Sequence, residues 1–386
     1  MAWLSAQQAL AVLEVRPQTL YANVSRGRIR TKPDPKDPRR SLYNGEDVKR
    51  LASRRAGRRA AASVAAEAIR WGDPVLPSGV STIAAGRLWY RGEDAVRLAQ
   101  RATLEETAGL LWQRDAIRID AGAIKLIAPG PATPLQQALA ALAERAGKDP
   151  PSRGRARTVL ASEAEGLMAT LAGALLPAGA RRCDLPLHQR LSRAWGAASA
   201  EDVLRCALVL LADHELNAST FAVRVAISTG ASLSAGLLAG LVTLTGPLHG
   251  GAAAGVQLLV AAARRLGARE AVREWLAQGQ PLPAFGHPLY PDGDPRAQAL
   301  FAQFRISEMF EDVRAAVEEM TGEKPNVDFA LAALADAHDL PAAAPFVIFA
   351  LARSVGWLAH AFEQIATGEL IRPRAHYTGP PLALAT

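Results

Sequence analysis

Gly246-Pro247-Leu248-His249-Gly250-Gly251 interrupts the longest stretch of the chain that lacks Asp, Glu, Lys and Arg, from Val225 to Ala263. By length alone that stretch could span a bilayer. Ser, Thr, Pro247, His249 and repeated glycines break it, so it reads as buried helical core, and no membrane span is expected. Working outward, apolar residues recur at three- and four-residue spacing around Leu98–Leu111, Leu135–Leu142 and Val203–Leu211. That is the period of amphipathic helices, strand signals are few, and the body is expected to be mainly α.

The charge is unevenly placed. The 386 residues carry 44 Lys and Arg against 37 Asp and Glu, a net charge of +7. Residues 1–60 hold 14 of the basic and 5 of the acidic residues, and the remainder holds 30 against 32. All the excess positive charge lies in the first sixth of the chain, which points to an appended module with its own partner. The start, Met1-Ala2-Trp3-Leu4, lacks the basic region of a secretory signal. Cys183 and Cys206 make neither a disulfide framework nor a zinc site, so a reducing, cytoplasmic setting is expected.

In the N-terminal module Ser5 suits an N-cap for a short helix carrying Ala9, Leu10 and Leu13. Glu14 to Arg16 makes a break, Pro17 fits the first position of a second helix with Leu20, Tyr21 and Val24 on one face, and Gly27 ends it. Ile29-Arg-Thr-Lys, the turn Pro33–Pro38 and Arg39-Arg-Ser-Leu-Tyr43 predict a two-stranded wing. A third helix is expected from Asn44, with Asp47 as its capping partner. Two short helices followed by a basic wing form a helix-turn-helix pattern. Leu4-Ser5, Ala9, Leu13, Val15, Pro17, Thr19-Leu-Tyr21, Gly27 and Tyr43 with Asp47-Val48 resemble the MerR/excisionase-like class. Residues 1–58 are therefore a candidate DNA-binding domain, with docking or dimer support as the plainer alternative. Residues 59–74 read as a helical linker.

Three of the seven histidines stand in loop-like contexts: Asp213-His-Glu-Leu-Asn-Ala-Ser-Thr-Phe221, the quoted loop with His249, and Phe285-Gly-His-Pro-Leu-Tyr-Pro-Asp-Gly-Asp-Pro-Arg296. Glycines bracketing a histidine allow a ligand close approach to the backbone. No His-x-x-x-His or paired Cys spacing appears, so no metal is expected. Asp328, in Pro325-Asn-Val-Asp-Phe329, reads on its own as a helix N-cap. Arg353 lies in the apolar run Phe346 to Leu358, where an unpaired charge is expensive.

These segments, with Thr82-Ile83, Trp89-Tyr-Arg-Gly-Glu-Asp94, Thr103-Leu-Glu-Glu-Thr107 and Arg372-Pro-Arg-Ala-His-Tyr-Thr-Gly379, resemble the citrate synthase family in the family's order over about four fifths of the chain. The resemblance implies a two-domain helical fold: a large domain of residues 75–251 and 340–386, and an inserted small domain of 252–339 that closes onto it. It implies condensation of acetyl-CoA with oxaloacetate and water to citrate and CoA, without a further cofactor. By resemblance Asp328 is the base that takes the methyl proton and His249 the donor to the enol oxygen. His287 polarises the ketone of oxaloacetate, and His214 is a second histidine at that site. Arg296, Arg353 and Arg372 bind carboxylates, with Arg372 reaching the neighbouring subunit of a homodimer. Two positions depart from the family: Ala253 stands where Asn is common, and Pro288 where Arg often follows the loop histidine. The region between Trp112 and Leu171 is also short. Alternatives from the same residues are a 2-methylcitrate synthase using propionyl-CoA, or a DNA-binding metabolite sensor built on the same body.

Overall fold

The computed structural model describes residues 3–13, 20, 23–24, 29–34, 37–49, 76–115, 117–119, 132–177, 184–375, 377 and 379–380. The chain divides into two units, Met1–Pro77 with Pro373–Thr386, and Ser78–Arg372.

In the smaller unit, β1 (Trp3–Leu4) leads into α1 (Ala6–Leu13). Ser5 and Gln8 cap the helix reciprocally: the Gln8 N–H donates to Ser5 Oγ at 3.2 Å and the Ser5 N–H to Gln8 Oε1 at 2.9 Å. β2 (Thr31–Asp34) and β3 (Asp37–Asn44) pair antiparallel with Thr31 opposite Tyr43, and β1 adds to the far side of β3. The expected two-stranded wing is thus a three-stranded sheet. Asn44 caps a helical turn at 45–49, its Oδ1 accepting the Glu46 and Asp47 N–H groups at 3.0 and 3.1 Å. Asp47 does not cap, contrary to expectation. Its carboxylate takes the Arg30 backbone N–H at 3.1 Å and the guanidinium Nε and Nη2 at 2.8 and 3.1 Å. The Asn44 N–H that a capping box would turn toward Asp47 donates instead to the Arg30 carbonyl at 2.9 Å, and the Asp47 carboxylate holds the start of the hairpin. Ala9, Leu13, Leu20, Ile29, Tyr43 and Val48 form the core. The expected break at 14–16, most of the second helix with Gly27, the basic connector and Cys183 lie outside the described residues.

The larger unit opens with an antiparallel sheet, β4 (Ser81–Ala84), β5 (Arg87–Tyr90) and β6 (Glu93–Asp94). Helices follow: α2 (Ala95–Ala99), α3 (Leu104–Trp112), α4 (Pro134–Ala146), α5 (Arg157–Leu175), α6 (Leu187–Ala194), α7 (Glu201–Leu211), α8 (Ala218–Ser228) and α9 (Leu233–Leu244). After the His249 loop come α10 (Ala252–Leu266), α11 (Ala268–Ala277), α12 (Pro295–Phe301), α13 (Glu308–Thr321), α14 (Val327–Ala337) and α15 (Ala344–Thr367). Thr103 and Glu106 form a capping box on α3, and Thr133 with Gln136 repeats the device on α4. The uncharged run Val225–Ala263 resolves into α8, α9 and α10. α15 is long and apolar enough to cross a membrane by composition, yet 89% of its most apolar window is buried inside the protein. It is a core helix. Cys206 is buried on α7, which pushes its thiol up to about 12.

Among the described residues the larger unit has two apolar cores. One runs from Val80 to Phe362 and is built by α3, α5, α7, α8, α9 and α15. The other gathers Val256 and Leu259 of α10, Val272 of α11, Phe310, Val313 and Val317 of α13, and Phe329 of α14. α14 faces both, with Val327 and Leu331 in the first core and Phe329 and Ala333 in the second. Asp328 therefore sits on the seam.

Candidate active site

Each candidate histidine is held by a loop that a helix end or strand pins. Residues 213–216 follow α7. Ser81 of β4 donates to the Asp213 carboxylate, and Glu215 (φ 50°) accepts the Ile83 N–H at 2.5 Å and the Thr82 hydroxyl at 3.1 Å. This gives Thr82-Ile83 a structural reason: β4 grips the loop that presents His214. Below it, His360 Nε2 lies 3.2 Å from Asp213 Oδ2, both fully buried. Gly356 of α15 makes this approach possible, because a Cβ there would collide with Asp213 Oδ1 and the Ala212 carbonyl.

His249 is carried on the turn between α9 and α10, where the chain doubles back onto α9. A Cβ on Gly250 would strike the Leu244 carbonyl, and one on Gly251 would come within 2.9 Å of Pro247 Cα. His249 Nε2 lies 2.8 Å from Ser219 Oγ, which also receives the Trp357 Nε1–H at 3.1 Å and lies 2.8 Å from Asn217 Oδ1. Burial, then the positive Arg353, pull His249 down to about 4. The ring is neutral at physiological pH.

His287 is neutral for the same reasons: burial, then Arg296, lower it to about 4. Its Nδ1 accepts the Leu289 N–H at 3.2 Å, so the proton resides on Nε2, which is a donor. Two rings pack against it, His214 edge-on at 5.2 Å and Tyr290 tilted at 4.9 Å between centroids. Tyr290 Oη lies 3.0 Å from His214 Nε2, and burial raises the phenol above its ordinary value. Burial first, then Arg296, Arg353 and the other two histidines, hold His214 well below 6.5.

The two arginines on these elements are both buried, under different conditions. Arg296 is clamped by Asp294, Nε to Oδ1 at 2.9 Å and Nη2 to Oδ2 at 2.8 Å. Asp294 is also the N-cap of α12 and accepts the Val327 N–H at 3.0 Å, tying α12 to the start of α14. Although burial opposes it, this clamp leaves the Arg296 guanidinium above its ordinary range. Arg353 is 1% exposed; it donates from Nε to the Leu211 carbonyl at 3.0 Å and lies over the Phe349 ring at 4.7 Å. Burial lowers it to about 10. Among the described residues its terminal nitrogens have no carboxylate within ion-pair distance.

Asp328 is not the N-cap it resembles in sequence. Asn326 caps α14, its Oδ1 accepting the Asp328 N–H at 3.0 Å, and the Asp328 carboxylate projects elsewhere. It lines a narrow cavity with Leu244, Gly250, Ala253, Pro345, Phe346 and Phe349, next to the His249 turn. Burial raises its carboxyl to about 6 against the opposing pull of Arg296 and Arg353. A second, larger cavity of about 510 Å³ opens beside His287 and is lined from Phe285 to Asp294 and from Gly322 to Asn326. Arg372 is exposed, beyond the end of α15, and makes no ion pair among the described residues. It stands apart from this cluster.

Thus His214, His249, His287, Arg296, Arg353 and Asp328 act on one another electrostatically, and Arg372 does not join them. Sequence reasoning missed Ser219, Trp357, Tyr290, Asp294 and His360. Ser219, Tyr290 and Asp294 lie within histidine motifs quoted above and Trp357 within the apolar run around Arg353, but the contacts that join them span distant segments and gave no signal.

The citrate synthase C-terminal domain family model matches residues 70–374. Citrate synthase 2 of Bacillus subtilis is 40% identical over 189 residues, covering 45% of this chain and 50% of that protein. The chain spans about half the length of the curated relatives it matches at 38–40% identity. The 2-methylcitrate synthase of Mycobacterium tuberculosis is 28% identical over 334 residues, 76% of this chain and 84% of that one. The citrate synthase of Thermoplasma acidophilum, solved as a ternary complex with carboxymethyl coenzyme A and oxaloacetate, aligns at a TM-score of 0.67 and 23% identity. The alignment covers 81% of this chain and 96% of that one, a likeness of fold.

Proposed function

The chain belongs to the citrate synthase family, and on that premise we propose that it condenses acetyl-CoA with oxaloacetate and water, giving citrate and CoA. The observation that carries the reading is Asp328: a carboxyl raised to about 6, in a cavity beside neutral His249 and within the field of two buried arginines. A base for a weakly acidic carbon proton gains strength from such a raised pKa and still ionises at pH 7.

Asp328 takes a proton from the methyl of the thioester while His249 donates a hydrogen bond to the developing enol oxygen. Donation calls for a proton on Nδ1, so Nε2 accepts from the Ser219 hydroxyl; that hydroxyl has one proton and turns it from Asn217 to the imidazole. The enol carbon then attacks the ketone carbon of oxaloacetate. The ketone oxygen gains charge and is met by the His287 Nε2–H, whose tautomer the Leu289 N–H enforces. Arg353, without a carboxylate of its own, and the free edge of Arg296 bind the carboxylates, with His214 beside them. Water then cleaves the citryl thioester, releasing CoA.

Finer points belong to the same proposal. Arg372 of a second copy completes the site in a homodimer. Residues 252–339 act as a small domain closing on 75–251 and 340–386, with α14 as the shared element. Residues 1–58 form a winged helix-turn-helix that contacts DNA, and the protein works in the cytoplasm. The capped α1, the hairpin and the excess of basic residues support that assignment.

Release of free CoA from acetyl-CoA, with and without oxaloacetate, tests the reading. Oxaloacetate-dependent release is expected, and its absence in the wild type sinks the proposal and leaves a sensor without chemistry. Propionyl-CoA in parallel ranks the two acyl donors by kcat/KM, and a higher value for propionyl-CoA replaces citrate by 2-methylcitrate as product. For the N-terminal unit, salt-dependent DNA binding that vanishes when 1–60 are deleted is expected.

A further inference from the structure

One face of α15 grips three successive residues where α7 gives way to the His214 loop. Arg353 Nε donates to the Leu211 carbonyl at 3.0 Å, the Gly356 N–H to the Ala212 carbonyl at 3.0 Å, and His360 Nε2 lies 3.2 Å from Asp213 Oδ2. Positions 353, 356 and 360 have the i, i+3, i+7 spacing of a single helix face, so the contacts climb α15 as the chain advances toward His214. The first contact comes from an arginine of the candidate site and the second from backbone. The third is a fully buried imidazole that the reaction described above does not use. Its Nδ1 makes no hydrogen bond among the described residues. The Glu363 carboxylate stands 3.9 Å from that nitrogen and is engaged by Arg224 and by the Gly79 N–H, each at 2.7 Å. Although burial opposes it, His360 first, then Arg353 and Ser81, keep the Asp213 carboxyl below its ordinary value. The acceptor is thus ionised, and Nε2 carries a proton and donates to it. On the other side of His214, the Glu215 N–H donates to the same Ser81 hydroxyl at 3.0 Å.

We propose that His360 is a positioning residue for the oxaloacetate half of the site: by holding Asp213 it sets where the adjoining His214 stands relative to Arg353, and it touches neither substrate. This rests on the oxaloacetate reading of His214 and Arg353. The His214 ring meets Tyr290 at Nε2, which leaves its backbone to be placed by the anchored Asp213 and Glu215 on either side. His360 and Arg353 share one rigid helix, so the gap that the imidazole spans also fixes the spacing of two groups that meet the same ligand. A small error in that spacing is costly, because a dicarboxylate is bound at both ends at once. The thioester half is held differently, by Ser219 on His249 and by Asn326 at the start of α14, and neither passes through His360.

The test compares two amides that differ by one methylene. The His360→Gln carboxamide reaches the place of Nε2 and donates to Asp213, whereas that of His360→Asn is too short. His360→Asn is expected to raise KM for oxaloacetate about 10-fold, the scale of one hydrogen bond to a charged group, with His360→Gln restoring most of it. KM for acetyl-CoA should stay within about 2-fold in both, since the thioester groups are anchored elsewhere. In an Asp213→Asn background, His360→Asn should change KM for oxaloacetate no further, because the residue it acts through is already altered. A histidine that only supports the fold raises both KM values, or lowers the melting temperature alike in the two variants, and either result overturns the proposal. Loss of folding in His360→Gln as well as His360→Asn, an unchanged KM for oxaloacetate, or additive effects with Asp213→Asn overturn it too. Calorimetric titration with oxaloacetate alone reads the same contrast as Kd, without turnover. With a wild type that binds oxaloacetate and releases no CoA, that contrast still decides the contact while the reaction falls, and no oxaloacetate binding at all refutes both.

Discussion

Two buried arginines, one at the start of α12 and one in the middle of α15, face the same group of histidines in opposite condition. Arg296 arrives with its counter-ion two residues upstream, and Asp294 spends both oxygens on it while capping α12 and holding α14. Arg353 has a carbonyl, the face of a phenyl ring and the more distant field of Asp213. The first guanidinium is held above its ordinary range and the second below it. One positive charge is thus part of the scaffold. The other has no carboxylate partner among the described residues, and on the proposed reading an incoming dicarboxylate relieves an electrostatic cost that folding alone did not remove.

The comparison breaks first at Asp328, which feels both guanidiniums. Asp328→Asn should lower kcat by at least about 10³-fold if the carboxylate is the base, in the upper part of the range for removing a general base. In the wild type kcat should rise with pH through about 6 and then level, because the base must be ionised and the imidazoles at about 4 are already neutral. The stability sign is the reverse. The folded carboxyl titrates above its unfolded counterpart, so the chain loses stability as pH rises from about 4 to about 6, and Asp328→Asn removes that loss. A thermal melt across this window checks it.

Arg353→Met should cut kcat/KM for oxaloacetate by about 10²-fold or more while leaving the unfolding midpoint unchanged or higher, since an apolar residue replaces a charge that has no ion-pair partner among the described residues. Arg296→Met should do the opposite to stability, costing about 3–5 kcal/mol in urea unfolding because Asp294 is left buried and unpaired. Equal destabilisation by the two variants would erase the distinction. Tyr290→Phe, which removes the hydroxyl beside His214 Nε2, should cost about 5-fold in kcat/KM. Deleting residues 1–60 should leave turnover within about 2-fold, because the core of the larger unit begins at Val80 and is built without them.

Much of this was legible in the sequence because it is local. The cap at Ser5 follows from its place before an apolar-periodic run, and the uncharged run became three helices separated at Gly230 and at Gly246–Gly251 with Pro247. The histidine loops were legible for the same reason. Asp328 was ambiguous because Asn326 and Asp328 both suit an N-cap, and which one turns its side chain inward is decided by tertiary contacts. Asp47 was misread on similar grounds: capping competes with Arg30, which is 17 residues away. The Ser219–Trp357 link joins α8 to α15 across 138 residues, and no periodicity reports it.

That link has a practical side. The indole of Trp357 is fully buried and bonded to the hydroxyl that touches His249. Any event that redirects the Ser219 proton or shifts the imidazole changes the polarity felt by that indole at a distance of two hydrogen bonds. The indole is thus placed as an optical probe: emission from Trp357, read against Trp357→Phe, should follow occupancy of the proposed thioester site without a label and in the time of a stopped-flow mixing experiment.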